Sequence, residues 1–234
     1  MSLPPGLETV GAACAHVLLT PEPQAKLMAA RPDYGWLSEE SDDTSDRLSR
    51  QRVFIIDPID GTRSFIAGDK TWSHSLAVAD NGHIIAGVVF LPLHDKLYCA
   101  HLSGGAFLND APIHASAREE LDGATVLSAR ANLDASHWRQ GPPPIERHFR
   151  ASLAYRMALV AEGRFDAMLS LRDTWEWDVA AGTLIATEAG ARVTDKNGAA
   201  PAFNNARPML PGMLAGTAAV HESLLARLRS GQVP

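Results

Sequence analysis

The chain has 234 residues, 46% hydrophobic and 21% charged, with a net charge of −6. Its composition is that of an ordinary globular protein, and a chain this long buries roughly 70% of its unfolded surface without staples. The acidic balance argues against partners such as a nucleic-acid polymer or an anionic membrane surface. Two cysteines in no motif, Cys14 and Cys99, argue against a disulfide framework or a cysteine zinc site. No run approaches the ~18 apolar residues of a membrane span. No basic residue precedes Lys26, so no secretory signal is read. The expectation is a soluble cytoplasmic protein.

Pro4-Pro5 and Pro21-Glu22-Pro23 punctuate the first 30 residues and leave room for helix only between them. Pro32-Asp33-Tyr34-Gly35 is a turn signal. The polar run from Ser41 to Asp46 reads as solvated loop, because nothing apolar in it can anchor a core. Val53-Phe54-Ile55-Ile56 reads as a strand buried on both faces. Strands are expected over Ser75 to Ala79, Ile84 to Leu91 and Lys96 to Ala100, with a hairpin at Asn81-Gly82. Residues 75 to 115 therefore form an antiparallel meander. Beyond Glu120 strand and helix alternate. Ala124 to Ala129 and Phe165 to Leu171 read as strands. Leu153, Met157 and Val160 recur at helical spacing, and Gly163 ends that helix. A second helix runs from Asp178 to Ala189 with Gly190 as its stop. Leu214 to Ala218 and a helix from Glu222 to Arg229 close the chain.

The chemistry concentrates in Asp57-Pro58-Ile59-Asp60-Gly61-Thr62. Two carboxylates three residues apart end a buried strand. Pro58 fixes one φ and Gly61 allows a sharp turn. Such a turn aims both carboxylates, and the Ile59 carbonyl, at one point. Hard cations such as Mg²⁺ take all-oxygen donor sets of this kind. The N–H groups of Gly61 and Thr62 open a short helical turn and are suited to phosphate oxygens. Taken singly, Asp178 reads as a helix cap, Trp177 as core, and Glu39-Glu40 as a solvated pair. The nine histidines show no metal-ligand spacing. Arg63, Arg130, Arg156 and Arg172 are surface residues that could meet a second phosphate of a substrate.

Three segments, Leu37-Ser38-Glu39-Glu40-Ser41, Asp57 to Thr62, and Trp177-Asp178-Val179-Ala180-Ala181-Gly182 with Glu188-Ala189-Gly190, resemble the signatures of the inositol monophosphatase superfamily in order and spacing. Ser103 to Asn109 and Val160 to Asp166 resemble further family segments. The resemblance spans roughly residues 35 to 225. It implies an α+β fold, a layered α/β/α/β/α sandwich, with an N-terminal half to residue 120 and a C-terminal half from 121 that supplies Asp178. It also implies a phosphomonoesterase with two or three Mg²⁺ ions, lithium sensitivity and a homodimer. Carried over by motif, Glu39, Asp57 and the Ile59 carbonyl hold one ion. Asp57, Asp60 and Asp178 hold a second, and Glu39 leans on a third. Glu39 and the Thr62 hydroxyl activate water, and the Gly61 and Thr62 amides hold phosphate. Two metals suit an anionic ester, since they clamp the attacking and leaving oxygens of an in-line displacement. Without metal, each pair of such carboxylates at ~4 Å costs on the order of 4 kcal/mol at an effective dielectric of about 20.

Two departures from the family pattern matter, the first for the third metal and the covering loop, the second for substrate. The Val-Thr-x-x-Asp segment usual before the Glu-Glu pair is not found. Leu171 also stands where inositol-specific members carry Glu. The segments 169–178 and 60–65 look more like the bacterial 3′(2′),5′-bisphosphate nucleotidase branch, which converts 3′-phosphoadenosine 5′-phosphate to AMP. That is the substrate expected from the sequence. Inositol-1-monophosphatase, histidinol-phosphatase and a degenerate regulatory homologue are the alternatives.

Overall fold

The computed structural model describes residues 23–229. The helix expected between the N-terminal prolines, and Cys14, lie outside that range. The first described element is a helix, α1 (Pro23–Ala30). It begins on a proline where the sequence was read as punctuation, and a proline in the first turn costs no helical hydrogen bond.

A seven-stranded sheet follows in simple order: β1 (Gly35–Ser38), β2 (Arg52–Asp60), β3 (Ser73–Asp80), β4 (His83–Leu91), β5 (Lys96–His101), β6 (Ala106–Leu108) and β7 (Ala111–Ile113). The expected meander is all antiparallel from β2 onward. The sequence reading missed β1, which pairs parallel to β2. The short helix α2 (Thr62–Ile66) leaves the end of β2.

The second half of the chain builds a five-stranded sheet of order β12-β14-β10-β8-β9. The elements of this half are β8 (Thr125–Ser128), β9 (Glu146–His148), α3 (Leu153–Ala161), β10 (Ala167–Ser170), β11 (Thr174–Trp175), α4 (Glu176–Glu188), β12 (Arg192–Thr194), β13 (Met209–Leu210), β14 (Met213–Gly216) and α5 (Ala218–Arg227), with β11 and β13 paired apart from the sheet as a two-stranded ribbon. The helix α4 begins at Glu176, two residues before the expected Asp178, and α5 begins at Ala218 rather than Glu222. Thr217 explains the second shift, because its hydroxyl caps the Val220 amide.

The layers follow from which faces are apolar. On the outer face of the first sheet, Leu27 and Met28 of α1 pack on Phe54, Ile56 and Leu76. Between the sheets, α3 and α4 join Ile55 and Val89 on one side to Leu127 and Met168 on the other. On the far side, Val220 and Leu224 of α5 cover Val126, Leu169 and Trp138. This is the α/β/α/β/α order, and the fold is an α+β sandwich. The central helices lie very close together. A Cβ on Gly182 would stand 2.7 Å from the Met157 Cβ, so only glycine fits there. Trp177 is core, as its neighbours predict.

Two remaining sequence signatures prove to be clamps. Glu188 at the end of α4 accepts the amides of Ser103 and Gly105, both at 2.8 Å. Asp166 accepts from the Ser116 hydroxyl and from the Thr125 amide and hydroxyl.

His221 on α5 is fully buried. Its Nε2 lies 2.9 Å from Thr194 Oγ1, which itself donates to the Asp195 carbonyl, so the ring donates through Nε2. Its Nδ1 has no partner among the described residues. Burial, with Arg192 nearby, lowers the ring's pKa to about 4. The unfolded chain therefore takes up a proton first as pH falls below about 6.5. His221 contributes stability above that pH, and up to about 3 kcal/mol of it is lost as pH falls toward 4. In denaturant unfolding, the stability of the wild type relative to His221→Phe should fall between pH 7 and pH 4.5, a difference in which the other titrating groups cancel.

Candidate active site

The residue Asp57 and its partner Asp60 are three apart, and in a regular strand they would point to opposite faces. The ladder between β2 and β3 breaks between them. Asp57 faces Ser75 and Asp60 faces Ser73, so three steps on one strand match two on the other. This bulge brings both carboxylates to the same side. Pro58 suits the break because it has no amide to leave unpaired. The carbonyl of Pro58 is not idle, since His74 Nδ1 lies 2.5 Å from it.

The turn beyond Asp60 depends on Gly61, at φ +94°. An L side chain there would be strained. Thr62 opens α2, is exposed, and donates its hydroxyl to the Ile59 carbonyl at 3.0 Å.

Asp178 arrives from the other half of the chain, in the first turn of α4. That turn is seated on the sheet by Ser75, opposite Asp57, which donates to the Trp177 carbonyl at 3.0 Å. Asp57, Asp60 and Asp178 each offer an oxygen within 4.8 Å of the others, the one such group among the described residues. Glu39 follows β1. Because β1 runs parallel to β2 with Ser38 beside Ile56, Glu39 falls next to Asp57, and its amide donates to the Ile56 carbonyl.

Burial is the main influence on all three aspartates. It lifts the Asp57 carboxyl far above the ordinary carboxylate range, helped by the charges of Asp60, Glu39 and Asp178. It lifts Asp178 likewise, with Asp60 and Glu39 adding and Arg172 opposing. Asp60 is raised less. Its Oδ2 accepts the Ser152 hydroxyl at 2.6 Å and the Ala154 amide at 2.8 Å, and Arg156 supplies a nearby positive charge. Ser152 caps α3 by accepting the Tyr155 amide, and Ser73 completes the set at 2.9 Å from its oxygen.

The structure thus brings together Asp57, Asp60 and Asp178, with Glu39 alongside. Glu40 is exposed and outside the cluster. Arg156 is corrected: it is buried rather than a surface residue, with its guanidinium turned to the Arg150 and Ala151 carbonyls and stacked on Phe149. Arg63, Arg130 and Arg172 are exposed. The role of Ser152 was missed. A serine ahead of a helical pattern marks a cap, but nothing local shows that it also holds Asp60.

A largely buried all-oxygen cluster at the end of a bulged strand, completed by a helix start, is the kind of donor set that hard divalent cations take. The family model of the inositol monophosphatase family matches residues 22–232, and the chain belongs to that family. The inositol-1-monophosphatase of Rhizobium meliloti is 38% identical over 183 residues, 74% of this chain and 67% of that protein. That of Mesorhizobium japonicum is 33% identical over 216 residues, 86% and 76% of the two chains. The crystal structure of the extragenic suppressor protein SuhB from Bartonella henselae superposes with a TM-score of 0.73 at 31% identity, covering 87% of this chain and 82% of that one. The protein is a phosphoric monoester hydrolase of a metal-dependent family. These relatives carry the inositol-1-monophosphatase or SuhB names, and the nucleotidase branch expected from the sequence finds no support among them.

The raised carboxyls have a measurable consequence. In metal-free protein the unfolded chain ionises first, so the stability they contribute is complete below about pH 4 and falls as pH rises through neutrality. Chelated protein should melt lower at pH 8 than at pH 5, and a divalent cation should reverse the loss. Asp57→Asn, which keeps the oxygen that accepts the Ile59 amide, should raise the melting temperature of chelated protein at pH 8.

Proposed function

We propose that this chain hydrolyses inositol monophosphate with Mg²⁺. The observation that carries the chemistry is the buried cluster of Asp57, Asp60 and Asp178 with Glu39 beside it. Its donors are all oxygen, the set hard cations take, and unneutralised burial of so many carboxylates is costly. Glu39, Asp57 and the Ile59 carbonyl would hold one ion, Asp57, Asp60 and Asp178 a second, and Glu39 a third, weaker one. When bound, the ions supply Lewis acidity and neutralise the anionic ester.

The chain's own groups do the rest. Glu39, exposed at the end of β1, accepts the proton of the attacking water, with the Thr62 hydroxyl orienting it. The Gly61 and Thr62 amides donate to phosphate oxygens. Lithium inhibition and a homodimer belong to the same reading.

The names of the two rhizobial relatives support inositol phosphate as substrate. One observation favours a second reading. Leu171 is half-buried against the apolar layer under α5 and offers no carboxylate to a polyol. That keeps 3′-phosphoadenosine 5′-phosphate as the runner-up.

Phosphate release should be measured with Mg²⁺, with and without Li⁺, on inositol 1-phosphate, 3′-phosphoadenosine 5′-phosphate, histidinol phosphate and fructose 1,6-bisphosphate. Inositol 1-phosphate should give the highest kcat/KM, and preference for the nucleotide would overturn the substrate assignment. Asp57→Asn should lower turnover by on the order of a hundredfold or more while the protein stays folded.

A further inference from the structure

The segment that carries Glu39 has no apolar anchor, and its side chains from Glu39 to Asp46 are exposed or half-exposed. Trp36 Nε1 donates to Ser41 Oγ at 3.0 Å near its start. At its end stands Arg47, only 2% exposed. Nε and Nη2 of Arg47 fork onto Asp43 at 2.6 and 2.7 Å. Nη1 donates to Asn204 Oδ1 at 2.6 Å, and Nη2 also reaches the Asn205 carbonyl at 2.9 Å. Asn204 Nδ2 returns a bond to the Arg47 carbonyl at 3.2 Å.

The chain of bonds continues into α4. Glu176, its first residue, is fully buried. Its carboxylate accepts the Asn204 amide at 2.6 Å, the Asn205 amide at 2.9 Å and Asn205 Nδ2 at 2.7 Å. One network therefore runs from Asp43 through Arg47, Asn204 and Asn205 to Glu176. It begins on the loop after Glu39 and ends in the helical turn that presents Asp178. A buried ionic network of this kind is weak evidence for stability, because apolar residues of similar volume often serve as well. Its distinctive property is geometric, since the planar guanidinium fork and the three-donor carboxylate site each accept one arrangement.

We propose that Arg47, Asn204 and Glu176 are positioning residues. Together they hold the Glu39 loop at a fixed distance from the start of α4, and so set the affinity of the acidic cluster for a divalent cation. The proposal rests on the metal-site reading above.

Asn204→Gly is the cleanest probe. Asn204 has φ +62°, which glycine adopts freely. The substitution changes no charge and keeps the backbone amide that Glu176 accepts, but it deletes both side-chain bonds to Arg47. Glu176→Gln is the second variant, and it places an amide group against N–H donors. Activity and melting temperature are titrated with Mg²⁺ at 25 °C and on heating, respectively, for the full chain. Asn204→Gly should need roughly tenfold more Mg²⁺ for half-maximal activity and for half of the thermal shift, with the KM for substrate at saturating Mg²⁺ unchanged. Glu176→Gln should move the same way.

Lowered melting temperatures with wild-type Mg²⁺ half-saturation in both variants would make the network a stabiliser only and overturn the proposal. A wild type whose activity and melting are both blind to Mg²⁺ would instead remove the metal-site reading, and the proposal with it.

Discussion

Asp57 and Asp60 share a face only because β2 carries one residue more than the strand beside it at that point. Most of the site is built around keeping that extra residue where it is. Pro58 removes an amide the bulge could not pair, His74 meets the carbonyl that the bulge turns outward, and Gly61 takes the left-handed conformation that ends the strand. Asp60 is then caught from the second half of the chain by Ser152 and the Ala154 amide. Without the bulge the two carboxylates would face opposite layers, and the parallel neighbour β1 would present Glu39 to one of them only.

The groups that hold these acids are mostly uncharged. The Ser152 hydroxyl and the Ala154 amide fix Asp60, a backbone amide fixes one oxygen of Asp57, and Ser75 seats the turn that carries Asp178. Neutral donors orient carboxylates without cancelling their charge. The cluster therefore keeps its mutual repulsion, which together with burial raises its carboxyls. Arg156 stands close enough to ease Asp60, but its guanidinium is spent on two loop carbonyls.

Much of this was legible in the residues. The apolar run before Asp57 and the hairpin at Asn81-Gly82 have local causes, and both stand where the pattern puts them. The Asp57 to Thr62 segment announced its chemistry because turn-forming and cation-binding residues coincide there. What was hidden is non-local. The four residues of β1 carry no alternation that separates them from loop, and their strand exists because β2 offers an edge. The polar stretch from Ser41 to Asp46 reads as free loop, since its anchor, Arg47, finds partners more than 150 residues away. Ser152 escaped the sequence reading altogether: it caps α3, but its contact with Asp60 exists only once the two halves meet. The nucleotidase branch read from the sequence finds no support among the relatives for a related reason: short motifs report the chemistry that a whole family shares.

The strands pair in chain order in the first sheet, yet the last carboxylate of the cluster lies near residue 178, past the start of the second. The first sheet alone carries Glu39, Asp57 and Asp60 but neither the helical turn that completes them nor the layer that covers its apolar face. The layer of α3 and α4 supplies both, so in this chain the packing that buries the core is also the packing that completes the acidic cluster.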